Sequence, residues 1–255
     1  MAAQKTECFV LRRTPLRETS WILTVLSRSF GKLRGVVKGA RKEKNTWASS
    51  CELMTHANMV FFEKPKTGLH LITELSIVDS HEKLRNHFPA LTYASYFSEL
   101  LDQLLEDHGT HPRIFELLKA SVKLLEDRKR NFLLLARIFE IKLLERLGLL
   151  PRFSDCIGCG MAFGGKVYFN SKQGGVFCKL CHRKFGGSFE ISQGSLQAIR
   201  FILKSTPQKA SQIKLGNQIR KELEQITKQF IEYRIEHPIK ALRFISQVYP
   251  LLSHH

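Results

Sequence analysis

The strongest constraint in this 255-residue chain is a pair of short cysteine motifs, Cys156-Ile157-Gly158-Cys159 and Cys178-Lys179-Leu180-Cys181, with eighteen residues between them. Two C-x2-C pairs at this separation have the spacing of a four-cysteine zinc site. Two residues between ligands form a tight knuckle that aims both thiolates at one tetrahedral centre, and Gly158 and Gly160 sit where the turn needs them. The intervening segments Gly164–Asn170 and Gly174–Phe177 are expected to be two strands of a ribbon joining the knuckles, too poor in apolar residues to fold without the metal. The metal-ligand set is therefore Cys156, Cys159, Cys178 and Cys181, holding one structural zinc per chain. Four thiolates leave no open position for catalysis. The competing readings are a pair of disulfides or a redox-active C-x-x-C. The start of the chain lacks a signal peptide's apolar region and no βαβ pattern surrounds either pair, which favours a soluble, unexported zinc protein. Cys8 and Cys51 are isolated and read as small apolar fillers.

Around the cysteines the pattern divides the chain into four segments: 1–80, 81–150, 151–189 and 190–255. The first reads as five short strands, Glu7–Arg12, Trp21–Ser27, Leu33–Lys38, Asn58–Glu63 and Leu69–Val78, a spacing that suggests a small barrel. From about residue 90 the period becomes helical. Phe97, Leu100, Leu101, Leu104 and Leu105 line one face, and Ile114, Leu117, Leu118, Val122 and Leu125 line another. Residues 131–147 are apolar on two faces, which marks the buried centre of a bundle, and Gly148 with Pro151 ends that helix. Helical patterning returns at 195–203 and 215–236, and in a short terminal helix around 242–248. The cysteine segment thus interrupts a helical domain.

Charge adds a functional direction. The chain carries 40 Lys+Arg against 23 Asp+Glu, a formal +17, which favours a polyanionic partner, nucleic acid ahead of a membrane surface. The excess is uneven: +6 in 1–80, +1 in 81–150, +5 in 151–189 and +5 in 190–255. Arg28, Lys32, Arg34, Lys38, Arg41, Lys42 and Lys44 place seven cations within seventeen residues, opposed only by Glu43. Such a run on a barrel can track a phosphate backbone while exposed aromatics stack on bases. The phosphate-contact candidates are Lys32, Arg34, Lys38, Arg41, Lys42 and Lys44. Trp47 is the stacking candidate, whereas Trp21 and Phe30 are assigned to the core.

Several catalytic patterns fail on inspection. Gly160–Val167 lacks the Ser or Thr that must follow the P-loop lysine. His81-Glu82-Lys83-Leu84-Arg85 has Arg where a zinc protease needs its second His. A zinc deaminase would need H-x-E and P-C-x-x-C, and Asp155 precedes Cys156. No enzyme is expected.

Taken together, Phe30-Gly31-Lys32-Leu33-Arg34-Gly35-Val36-Val37-Lys38-Gly39-Ala40-Arg41, then Tyr96-Phe97-Ser98-Glu99-Leu100-Leu101-Asp102, then Leu147-Gly148-Leu149-Leu150-Pro151 running into Cys156-x2-Cys159-Gly160, resemble RecO, the bacterial recombination-mediator family. The resemblance spans essentially the whole chain. One departure is Asn45-Thr46-Trp47, where relatives commonly carry a Ser-Arg pair. The resemblance implies an α+β multidomain fold: an N-terminal OB-fold β-barrel, a helical bundle domain and an inserted four-cysteine zinc ribbon. It also implies a cytoplasmic, nucleoid-associated protein that binds single- and double-stranded DNA and anneals complementary strands. With RecR, such a protein helps RecA replace SSB in gap repair. Contact with the acidic C-terminal tail of SSB is expected of the family, and Arg128, Lys129 and Arg130, beside a helix start, are the candidate cations. Two other readings compete: a zinc-dependent enzyme acting on nucleic acid, and an OB and zinc-ribbon module of transcription or translation.

Overall fold

The computed structural model describes residues 3–41, 47–64, 68–107, 109–241 and 244–245. Five strands, β1 (Ala3–Leu16), β2 (Ser20–Ser27), β3 (Gly31–Val37), β4 (His56–Phe62) and β5 (Leu69–Asp79), close into a barrel of order β1-β2-β3-β5-β4. All neighbours are antiparallel except β3 and β5, which pair in parallel from Arg34↔Leu69 to Val37↔Ile72. This is the small barrel the strand spacing suggests, with the OB-fold topology the family resemblance implies. β1 can pair with both β2 and β4 because it is long and bulged between Val10 and Arg12, and the bulge bends the strand around the barrel. Val10, Leu23, Val25, Leu33, Val37, Ala57, Met59, Phe61 and Ile72 fill the interior. Gly35 makes room for this core: a Cβ there would lie 2.6 Å from Ile72 Cγ1.

A short helix α1 (Glu82–Arg85) leads into α2 (Phe88–Leu104) and α3 (Pro112–Leu125). These cover the outer face of β1. Phe9, fully buried, meets Phe115 of α3 at 5.2 Å between ring centres, and Ser98 of α2 donates to the main-chain oxygen of Leu11. Gly31, at φ +70, comes so close to the main chain of Gly109 that a side chain at 31 would overlap it. By contact, residues 1–129 and 239–255 form one compact unit, and 130–238 form a second.

The second unit is built on α4 (Phe132–Arg146), buried on all sides as its two-faced pattern requires. Asn131 caps its start, accepting from Leu134 N at 3.0 Å. Its end is a Schellman motif: Gly148 (φ +69) and Leu149 donate to Glu145 O and Leu144 O. Three charged residues of α4 are buried with partners. Arg137 bonds to Glu140 (2.7 Å) and to Thr227 (3.1 Å), and Lys142 Nζ donates to Leu203 O (3.4 Å). Around α4 lie α5 (Gln193–Lys204), α6 (Pro207–Ala210) and α7 (Asn217–Glu232). Glu222 of α7 ties down the start of α5, accepting from Ser192 N and from the hydroxyls of Ser192 and Ser195 at 2.6–2.8 Å.

The cysteine segment falls between α4 and α5. Its strands β6 (Val167–Asn170) and β7 (Gly175–Cys178) pair as expected, and a third, β8 (Phe189–Ile191), adds to β6. Of the expected terminal helix, only Phe244 and Ile245 are described, both helical; the remainder of 242–248 lies outside the described residues. No helix among the described residues is long and apolar enough to cross a membrane.

Candidate nucleic-acid interface and metal centre

The two knuckles bring Cys156, Cys159, Cys178 and Cys181 together, with all four sulfurs within 4.8 Å of one another. A tetrahedral metal with ligands at about 2.3 Å needs sulfurs about 3.8 Å apart, so the set fits such an ion. Local bonds hold each loop: Gly160 N donates to Cys156 O at 2.7 Å, and Cys156 N to Met161 O at 3.0 Å. The two loops are cross-linked because Cys178 N donates to Cys156 Sγ at 3.3 Å. Burial disfavours ionisation of Cys156, but main-chain N–H groups of Cys178, Gly158 and Cys159 aimed at its sulfur outweigh this and bring the thiol down to about 6. Gly158 cannot carry a side chain without crowding the site, since its Cβ would stand 2.9 Å from Cys181 Cβ and 3.1 Å from Cys181 Sγ. His182 adjoins Cys181 but turns away from it. Its ring stacks on Tyr168 at 3.6 Å and its Nδ1 lies 2.8 Å from Lys179 O.

A second group with ligand atoms this close is Asp79, His81 and Glu126. It is an internal network. His81 Nδ1 lies 2.7 Å from Glu126 Oε1, Lys123 neutralises the other Glu126 oxygen at 2.6 Å, and His81 N donates to Asp79 at 2.9 Å.

On the barrel, the basic run separates into residues with different surroundings. Lys32 is buried: its Nζ donates to Asp102 O at 2.7 Å and lies 3.3 Å from Asp107 and 3.7 Å from the Asp102 carboxylate. Its charge is spent inside the protein, so it is not a cation open to phosphate. Arg34 is exposed and pairs with Asp107 at 3.3 Å. Arg28 joins Glu7 and Glu116. Lys38 is exposed and makes no ion pair among the described residues. Arg41 is exposed, donates to Arg17 O at 2.8 Å and stacks its guanidinium on Trp21 at 5.1 Å. Lys42 and Lys44 lie outside the described residues, as do Asn45 and Thr46.

The structure adds cations that the density of the 28–44 run obscured. The β1–β2 hairpin and the segment after β3 meet where Arg41 N donates to Thr19 O at 2.9 Å. Arg13 stacks on the same Trp21 ring at 5.0 Å while pairing with Glu52, and Arg17 is exposed at the hairpin turn. Arg13 and Arg41 therefore share the Trp21 ring, with the exposed Arg17 tied to Arg41 through its main-chain oxygen and the exposed Lys38 directly after Val37, the strand partner of Trp21. The sequence signal was available in Arg12-Arg13 and Arg17, split by a Pro-containing stretch. Trp47, Trp21 and Phe30 are all half-buried against the barrel core, so packing distinguishes none of them as the exposed platform. Elsewhere, Arg128 and Lys129 are exposed, while Arg130 is half-buried and bonds to Ser211 Oγ at 3.0 Å.

Comparison with known proteins divides the chain just after the last barrel strand. The family model "Recombination protein O N terminal" matches residues 1–81, and "Recombination protein O C terminal" matches residues 85–243. The chain is 28% identical to the DNA repair protein RecO of a Thermoanaerobacter species over 248 residues, covering 97% of this chain and 99% of that protein. It is 29% identical to the DNA repair protein RecO of Symbiobacterium thermophilum, also over 248 residues, covering 96% and 97% respectively. With both family models matching in order over a five-stranded barrel and a helical unit that carries the four-cysteine cluster, the chain belongs to the RecO family of recombination proteins.

Proposed function

We propose that this protein is a non-enzymatic DNA-binding recombination mediator. It binds single- and double-stranded DNA, anneals complementary strands, and acts with RecR to help RecA displace SSB in gap repair. The observation that carries the reading is the cationic, aromatic surface of the OB barrel, where Arg13 and Arg41 both stack on Trp21 and the exposed Lys38 follows the strand partner of that residue, Val37. OB barrels hold single strands by tracking phosphates with cations and stacking bases. In this reading Arg34, Lys38 and Arg41 contact phosphates, together with Lys42 and Lys44 of the same run, and Trp47 stacks on a base. Annealing needs no chemistry: a cationic surface that neutralises both strands lowers their repulsion, and base pairing supplies specificity.

The same reading gives the cysteine cluster one zinc per chain. Four thiolates leave the ion no open position, so what it supplies is rigidity for the ribbon. The exposed Arg128 and Lys129, with Arg130, are offered as contacts for the acidic tail of SSB. A cytoplasmic place at the nucleoid follows from these partners.

The test is an annealing assay on SSB-coated complementary strands, with and without RecR. Acceleration without any nucleotide, lost as salt is raised, is expected. No acceleration, or cleavage of DNA by clean protein that a point variant abolishes, would overturn the reading.

A further inference from the structure

The tip of the ribbon is chemically odd for a surface. Leu180, at 78% exposure, and Met161, at 69%, are the two most exposed large apolar side chains among the described residues. Leu180 sits inside the second knuckle, between Cys178 and Cys181, and Met161 follows Cys159 on the first. Because the four sulfurs lie within 4.8 Å of one another, the two knuckles that carry these residues are brought together. Scattered exposed leucines need no explanation, but these two stand on the most constrained loops of the segment.

The charges of the ribbon segment are almost all of one sign. Lys179, Arg183 and Lys184 are exposed and make no ion pair among the described residues. Asp155, the one acid of residues 151–189, is already paired with Arg152 at 2.6 Å. The tip is also open to solvent: Cys159, Gly160, Met161 and Ala162 are exposed in succession, as are Lys179 and Leu180. An apolar peptide needs a groove to lie in. Two exposed aliphatic side chains, with three unpaired cations within four residues of Leu180, instead match the gap between stacked bases flanked by phosphates, the geometry by which apolar wedges enter DNA.

We propose that Leu180 and Met161 form a wedge that enters a base step of DNA at a junction between duplex and single strand, with Lys179, Arg183 and Lys184 holding the flanking phosphates. The inference rests on the DNA-binding reading above and gives that activity a second contact, separate from the barrel. Aliphatic side chains leaving water would offset the lost stacking, and a junction pair, stacked on one side only, is the easiest to open.

The experiment uses the full zinc-loaded chain and a duplex with a single-stranded tail, carrying 2-aminopurine at successive steps across the junction. Binding is followed by anisotropy and unstacking by 2-aminopurine fluorescence. The native chain should raise fluorescence several-fold at one or two junction steps. Leu180→Ser with Met161→Ser should abolish the rise while leaving the salt slope of binding unchanged, since no cation is removed. Zinc content checks that the ribbon is intact. Leu180→Lys is the second variant: it adds a cation, so a tip acting by charge alone would keep the rise, whereas a wedge loses it. A rise that persists in both variants overturns the proposal and leaves the apolar tip to another occupant, such as an acidic peptide. Salt-dependent binding with no rise at any step overturns the wedge but not the DNA-binding reading. Salt-independent binding by the native chain overturns both.

Discussion

The ammonium of Lys32 donates to the main-chain oxygen of Asp102 at 2.7 Å, fastening β3 of the barrel to the last turn of α2. Asp107 lies 3.3 Å from the same nitrogen, and the Lys32 side chain is only 8% exposed. A cation from the densest basic run of the chain has thus become a structural one. Replacing it by Ala would leave a carbonyl and two partly exposed carboxylates without their shared donor. We expect Lys32→Ala to cost about 2 kcal/mol of stability, discounted from the range for fully buried pairs because Asp107 reaches solvent. The salt slope of DNA binding should not change. A denaturant midpoint equal to that of the native protein, with a shallower slope, would assign Lys32 to DNA instead.

Lys38 and Arg41 should behave in the opposite way. Both are exposed; Lys38 has no ion pair among the described residues, and Arg41 is held by Arg17 O and the Trp21 face. Each phosphate neutralised on a single strand contributes about 0.7 to the slope of log affinity against log salt. Changing both residues to Ala should therefore flatten the slope by about one to two units and leave the unfolding midpoint within a few degrees of the native value. An unchanged slope would move the interface off this surface of the barrel.

The contrast between these residues shows what the sequence could carry. Barrel, helices and knuckles were readable because each rests on a local pattern: short runs rich in Val, Ile, Phe and Thr bounded by turn residues, the i, i+3, i+4 stripe of α3, and the C-x2-C pairs. The partner of Lys32 was not readable, because Asp102 and Asp107 lie about seventy residues away and only the closure of the barrel against α2 and α3 brings them near. The cluster around Trp21 was hidden for the same reason: Arg13 and Arg41 meet its ring through strand pairing, not sequence proximity. β8 was missed because three residues, Phe189–Ile191, are too short to show alternation.

Two glycines of the ribbon provide a matched test of the metal site. A methyl group at Gly158 would meet Cys181 Cβ at 2.9 Å and Sγ at 3.1 Å, so Gly158→Ala must push a ligand sulfur out of position. At Gly164 the same group meets nothing within 4 Å. Metal sites are sensitive to small displacements of their ligands, and changes in their supporting contacts typically cost 10–100-fold in affinity. We expect Gly158→Ala to lose metal to a competing chelator about tenfold more readily than the native chain, and Gly164→Ala to match the native chain. Cys159→Ser should lose the ion altogether. Equal retention by the two alanine variants would show that Cys181 is not a ligand in the position seen here.

Acid should weaken the first unit through His56 before its carboxylates begin to protonate. The imidazole is buried, stacks on Phe9 at 4.7 Å, and lies 3.0 Å from Glu7 Oε2. Burial lowers its pKa, the hydrogen bond to Glu7 raises it, and Lys119 and His81 lower it further; the net direction is down. Burial outweighs the carboxylate because the ring is 3% exposed while Glu7 is 33% exposed, so solvent screens the attraction. A lowered folded pKa means that the unfolded chain binds the proton more readily, so stability rises with pH through this window. It is intact above the unfolded value near 6.5 and is lost progressively as pH falls below it. Glu7 and Glu126 are themselves held below the ordinary carboxylate value: burial, the largest single influence on each, pushes the pKa up, but it is outweighed by His56 and Arg28 together at Glu7 and by Lys123 and His81 together at Glu126. Their contribution is lost only at lower pH. Thermal unfolding from pH 7.5 to 5 should therefore show a falling midpoint, and His56→Gln should flatten that fall, leaving the part due to His87, whose pKa burial also lowers. A His56→Gln profile parallel to the native one would show that His56 does not change charge over this range.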